Sequence, residues 1–155
     1  MADQPQSSEG DFDSSCEIIA AVVSYAGELA LLRRSPLVTG DVGRWNCITG
    51  FLESQIEPLA QAMLEIEEEA GISHGQLILK SQAMLTLKGS TDGRLWRIHV
   101  FHFDSTTRAL KLNWENDASI WLMPDELNSV PTVSWFGEIL NACGLQRPIP
   151  HAACS

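Results

Sequence analysis

The chain has 155 residues, 45% hydrophobic and 19% charged, and its ten Lys and Arg against twenty Asp and Glu give a formal net charge of −10. That is one domain's worth of chain, able to hide roughly 70% of its unfolded surface, and its balance excludes a collagen-like or wholly disordered polymer. The negative field repels phosphate backbones and anionic lipid, so a nucleic acid polymer and a membrane are both excluded as expected partners. A phosphorylated small molecule would need a metal cation to mediate.

In chain order, residues 1–15 are polar and acidic and read as a disordered N-terminal tail. Residues 17–25 are a β-branched run, turned by Ala26-Gly27 into a second strand over 28–34, a hairpin. Pro36, Gly40 and Gly43 make 35–43 a loop. A short strand follows over 45–49, with Gly50 as its breaker. The clearest helix starts at Pro58 and stops at Gly71, with Leu59, Ala62, Met63, Ile66 and Ala70 in one apolar stripe. Strands are then expected over 76–87, 95–104 and 109–113, with a turn at 89–93. A short apolar run lies at 120–123, a helical turn at 124–127, and a last helix over 134–143 is closed by Gly144. Residues 16–146 form one mixed α/β domain without internal repeats, followed by a C-terminal tail over 147–155.

Cys16, Cys47, Cys143 and Cys154 show neither CxxC nor paired spacing. They suit scattered thiols in a reducing cytosol better than a disulfide framework or zinc knuckle. No apolar run approaches the ~20 residues of a membrane span, and the polar N-terminus lacks a signal pattern. The expectation is a soluble, cytoplasmic protein. His99 and His102 stand three apart on one strand, so they face opposite sides and do not pair on a metal.

Chemistry concentrates on the long helix. Glu65, Glu68 and Glu69 stand at i, i+3 and i+4, which crowds three carboxylates on one face, opposite the apolar stripe. No Lys or Arg in the helix offsets them. A solvated acidic face and a site for a hard cation such as Mg²⁺ or Mn²⁺ are the two readings of that cluster.

The spacing of residues 50–72 resembles the Nudix box, a Gly, five residues, a Glu, seven residues, then Arg-Glu-apolar-x-Glu-Glu-x-Gly-apolar. Gly50, Glu65, Ile66, Glu68, Glu69, Gly71 and Ile72 match without a gap, while Ile56 replaces the first Glu and Leu64 the Arg. Residues 44–53 and the run Leu112-Asn113-Trp114-Glu115 also look like a recurrent Nudix subgroup. The resemblance covers about 17–145 and implies an α/β/α sandwich with a mixed sheet and a loop–helix catalytic box. It implies a Mg²⁺- or Mn²⁺-dependent pyrophosphohydrolase acting on a nucleotide-like diphosphate. The metal would sit on Glu65, Glu68 and Glu69, with the Thr49 carbonyl as a fourth ligand. A catalytically weak nucleotide-binding module is the alternative, because the missing Arg and Glu remove an ion pair that steadies the catalytic carboxylate.

Four further residues carry two readings each. Glu115 is a metal ligand or general base, or an exposed loop side chain. Glu53 faces substrate or metal, or solvent. Arg33 and Arg34 hold phosphate, or are ordinary edge-strand arginines. Ile56 and Leu64 together read as a compensated swap of an ion pair for an apolar pair, which requires Leu64, off the stripe, to be covered by something other than the main core.

Overall fold

In the computed structural model, residues 16–89 and 93–145 are described; the two tails expected at the termini, Cys154 and the middle of the 89–93 turn lie outside the described residues. Alternating apolar side chains with small neighbours build β1 (Glu17–Tyr25), which is buried on both faces. Ala20 and Val22 point into one core; Ile19, Ala21 and Val23 point into the other. Strand β2 (Glu28–Arg34) repeats the pattern, sending Leu29 and Leu31 one way and Ala30 and Leu32 the other.

The β1–β2 hairpin is paired only at its tip, Ser24 with Leu29 and Tyr25 with Glu28. Beyond that the strands part. Strand β4 (Ile48–Phe51) takes β2's place beside Ile18 to Ala21 of β1. Strand β2 goes on to pair with β3 (Trp45–Asn46) and with β7 (Asn116–Leu122). On its other edge β1 runs parallel to β6 (Leu95–Ser105), which pairs antiparallel with β5 (Leu77–Lys88). The result is a seven-stranded mixed sheet.

Helix α1 (Pro58–Ala70) covers one face with Ala62, Ile66 and Ala70. Helix α2 (Phe136–Ala142) and the 3-10 turn before it cover the other with Leu127, Phe136, Ile139 and Leu140. These three layers are the expected α/β/α sandwich. Pro58 opens α1 where its missing N–H is no loss, and Gly71 closes it at φ 74°, where a Cβ would meet that of Lys111 at 2.8 Å.

Two expectations need correction. Gly50 does not break the strand after Trp45; it pairs with Ile19 inside β4, and the interruption falls instead at Cys47, between β3 and β4. Residues 109–113 are not a strand. They run across the end of α1, where the Lys111 N–H bonds the Ala70 carbonyl and Leu110 and Leu112 pack on the α1-side core. Their alternation serves packing against a helix end, not a ladder, and the strand forms later, over Asn116–Leu122.

His99 and His102 do face opposite sides, meeting Glu17 Oε1 at 3.0 Å and Ser24 Oγ at 2.9 Å. No helix among the described residues is long and apolar enough to cross a membrane.

Candidate active site

The parting of β1 and β2 opens one side of the sheet, and an open cavity of about 1100 Å³ occupies it. Thr49 and Gly50 of β4, Glu69 of α1 and Glu115 and Asn116 at the start of β7 reach its wall.

On α1 the three carboxylates have three different environments. Glu68 is exposed. Glu65 is half-buried and accepts a 2.9 Å hydrogen bond from Gln61 Nε2, one turn earlier. Glu69 is 4% exposed and accepts from Asn116 Nδ2 at 3.4 Å. The cluster is therefore not a solvated face opposite the apolar stripe. Glu69 stands three residues after Ile66 and seven after Ala62, which puts it on the flank of that stripe and under the sheet.

Burial, with the charges of Glu115 and Glu65 added, pushes the Glu69 carboxyl up to about 10. Protonated, it donates to the Glu65 carboxylate. Burial raises Glu65 too, and the charges of Glu68 and Glu115 act on it in the same direction, against the hydrogen bonds from Glu69 and Gln61. Glu115 thus joins the helix carboxylates, although it is 46 positions or more away in sequence. Its backbone is held by Ser35 N–H donating to its carbonyl at 2.9 Å, and its Oε1 accepts from Asn113 Nδ2 at 3.3 Å.

The close approach of β4 to α1 depends on Gly50. A Cβ there would lie 2.4 Å from Glu65 Cδ and 2.5 Å from its Oε2. The obstacle is the end of a flexible side chain, so Gly50→Ala should change stability by less than ~1 kcal/mol while driving the Glu65 carboxylate out of place. Loss of activity with an unchanged melting temperature is the expected result. Equal loss of both would mean that Gly50 serves packing alone.

Other expected residues are placed differently. Arg33 does not line the cavity. Its Nε meets Asp117 Oδ1 at 2.8 Å and its guanidinium lies over Trp45, neither of which is on the cavity wall. Arg34 does reach the wall, but its Nε and Nη2 donate to the Gly40 and Thr39 carbonyls at 2.9 and 3.0 Å, pinning the 35–43 loop. Glu53 is exposed; its backbone N–H, not its carboxylate, engages the α1 end of the site, donating to Gln61 Oε1 at 3.4 Å.

Leu64 is 43% exposed, so the expected cover over it is not there. A partner-dependent penalty for a charge at this position loses its basis. Leu64→Arg should alter stability by no more than ~0.5 kcal/mol in a thermal melt, as at other exposed positions.

Nothing in spacing or composition marks Asn116 as a site residue, whereas Gln61 is legible from its i, i+4 spacing to Glu65. Cys47 lines the cavity as a buried thiol that burial holds well above its ordinary pKa, which makes it unreactive.

Among the described residues, no three His, Cys, Asp or Glu side chains converge closely enough to form a ready-made metal cage. The donor set nonetheless fits a hard cation. Glu69 is a deeply buried carboxyl whose strongest neighbours are two more carboxylates, with no cation among them.

Solved structures share this architecture. A C. elegans Ap4A hydrolase in a binary complex superposes with a TM-score of 0.68 over 83% of this chain and 95% of its own, at 18% identity. The Nudix hydrolase RenU from M. smegmatis gives 0.67 over 88% of each chain, also at 18% identity. The chain has the Nudix fold. The Nudix domain of Shewanella oneidensis NrtR, complexed with ADP ribose, agrees at a TM-score of 0.69 and 12% identity, over 86% of this chain and 88% of that one. No family model and no curated protein matches the sequence itself.

Proposed function

We propose that this chain is a Nudix hydrolase that cleaves a diphosphate bond in a nucleoside-diphosphate-linked or nucleotide substrate, dependent on Mg²⁺ or Mn²⁺. The observation that carries the reading is Glu69, a carboxyl at the cavity wall raised by burial and then by the charges of Glu115 and Glu65, with no cationic partner among its strongest neighbours. A purely structural helix position would be better filled by an apolar residue, because an isolated buried carboxyl is destabilising.

Glu65, Glu68 and Glu69 would hold the cation, with the Thr49 carbonyl as a further oxygen ligand. When bound, the cation neutralises charge on the diphosphate and lowers the pKa of water. Gln61 orients Glu65 through its 2.9 Å hydrogen bond, and Asn116 does the same for Glu69. Glu115 accepts the proton of the attacking water. The new P–O bond forms to that water oxygen as the bond from the same phosphorus to the bridging oxygen breaks, giving two phosphate-bearing products. Arg34 fixes the loop that closes one end of the cavity. Free thiols at Cys16, Cys47 and Cys143 are compatible with a reducing cytosol as the place where it acts.

Incubating the chain with nucleoside triphosphates, dinucleotides and nucleotide sugars, with Mg²⁺ and with EDTA, tests the reading. Metal-dependent release of phosphate-bearing products from at least one class is expected. Tight binding with no turnover of any class would replace it by the second reading, a nucleotide-binding module. That alternative draws on Leu64, which supplies no guanidinium to steady the helix carboxylates.

A further inference from the structure

Asn46 is 3% exposed and lines the cavity. Its Oδ1 accepts the Cys47 backbone N–H at 2.8 Å. Because that partner is a donor, the amide cannot be flipped, and Nδ2 is fixed on the other side. Among the described residues nothing accepts a hydrogen bond from Nδ2. A buried, unmatched amide donor is destabilising, so its presence on a cavity wall points to an acceptor that arrives with a ligand.

The same cavity carries an aromatic wall. Phe51 and Trp96 are in contact, with ring centroids 6.3 Å apart and planes tilted by 40°. Trp135 lines it as well, as does Trp114, which is 60% exposed although its face is large and apolar. Flat apolar faces beside one oriented donor suit a heteroaromatic ring that stacks and offers an edge oxygen.

We propose that Asn46 is a specificity-determining residue that donates from Nδ2 to a carbonyl oxygen on the nucleobase of the substrate, with Trp114 as a stacking surface. The proposal rests on the reading of a nucleotide-like substrate but not on turnover. It selects bases that present a carbonyl over those that present an amino group in the same place, because a donor facing a donor leaves both unpaired.

The test measures binding in EDTA by tryptophan fluorescence, using AMP, IMP, CMP, UMP and ribose 5-phosphate. The wild-type chain should bind IMP over AMP and UMP over CMP, by ~10-fold or more in each pair, and all four over ribose 5-phosphate. Asn46→Asp keeps the oxygen for Cys47 N–H and replaces the donor with an acceptor, so both preferences should vanish or reverse. Trp114→Ala alters an exposed ring and should weaken all four nucleotides while leaving ribose 5-phosphate unchanged. If Asn46→Asp unfolds the chain, the wild-type preferences decide. Equal wild-type binding within each pair, preferences that survive in folded Asn46→Asp, or no loss in Trp114→Ala would overturn the proposal. A chain that shows these preferences yet hydrolyses nothing would overturn the hydrolase reading alone.

Discussion

Glu69→Gln should abolish metal-dependent turnover, by at least ~10²-fold, and at the same time make the metal-free protein more stable at pH 8. The two effects have one cause. In the folded chain Glu69 holds its proton up to about 10, against an ordinary value of 4.5. Below 4.5 both folded and unfolded states are protonated, and the stability associated with this group is at its maximum. Between 4.5 and about 10 the unfolded state ionises while the folded state does not, so stability falls as pH rises, on the order of 1 kcal/mol per pH unit at full effect. Gln keeps the shape and the Asn116 contact but cannot ionise. Melts in EDTA from pH 5 to pH 9 should therefore slope downward for the wild type and be flatter for the variant. Added Mg²⁺ should raise the wild-type melting temperature more at pH 8 than at pH 6, since binding must release the proton. Parallel wild-type and variant profiles would show that Glu69 is not the group whose proton is linked to folding.

The same residue marks where the sequence stops being informative. Pro58 and Gly71 set the limits of α1 unaided, and the hairpin of β1 and β2 follows from its apolar runs and the Ala26-Gly27 turn. The glutamate spacing singles out the helix whose Glu69 lines the cavity. It did not distinguish exposed Glu68 from buried Glu69, because helical periodicity gives a face but not the height of the sheet edge that covers its flank.

Tertiary packing likewise decided residues 109–113, where alternation that fits a strand is used to cap a helix end. Strand β7 opens on Asn116-Asp117-Ala118-Ser119, poor strand formers, and is held by its ladder with β2. Arg33 and Arg34 are adjacent in sequence and project to opposite faces, so only Arg34 reaches the cavity. Ser35 N–H holds the backbone of Glu115 across 80 residues, a contact with no local signature.

That contact sets up the second large effect. Glu115→Gln should cut kcat by ~10²–10⁴-fold, the usual contribution of a general base, and leave metal affinity nearly unchanged. Glu115 is well placed for the role. It lines the cavity and its charge acts on both Glu65 and Glu69, yet it stands outside α1 and keeps only a 3.3 Å hydrogen bond from Asn113. A carboxylate engaged with a cation is occupied, whereas one standing outside α1 is free to reach the attacking water. Loss of the base should also remove the acidic limb of the pH–rate profile, because that limb reports protonation of the group that takes the proton.

A second readout separates this role from general electrostatics. Glu115 raises Glu69, so its neutralisation should lower the Glu69 pKa and narrow, from the alkaline side, the window over which metal-free stability falls. A base that is also a charged neighbour gives both results. A variant with the narrowed window but normal kcat and an intact acidic limb would leave Glu115 as a neighbouring charge only, and pass the proton-accepting role to a helix glutamate, Glu68.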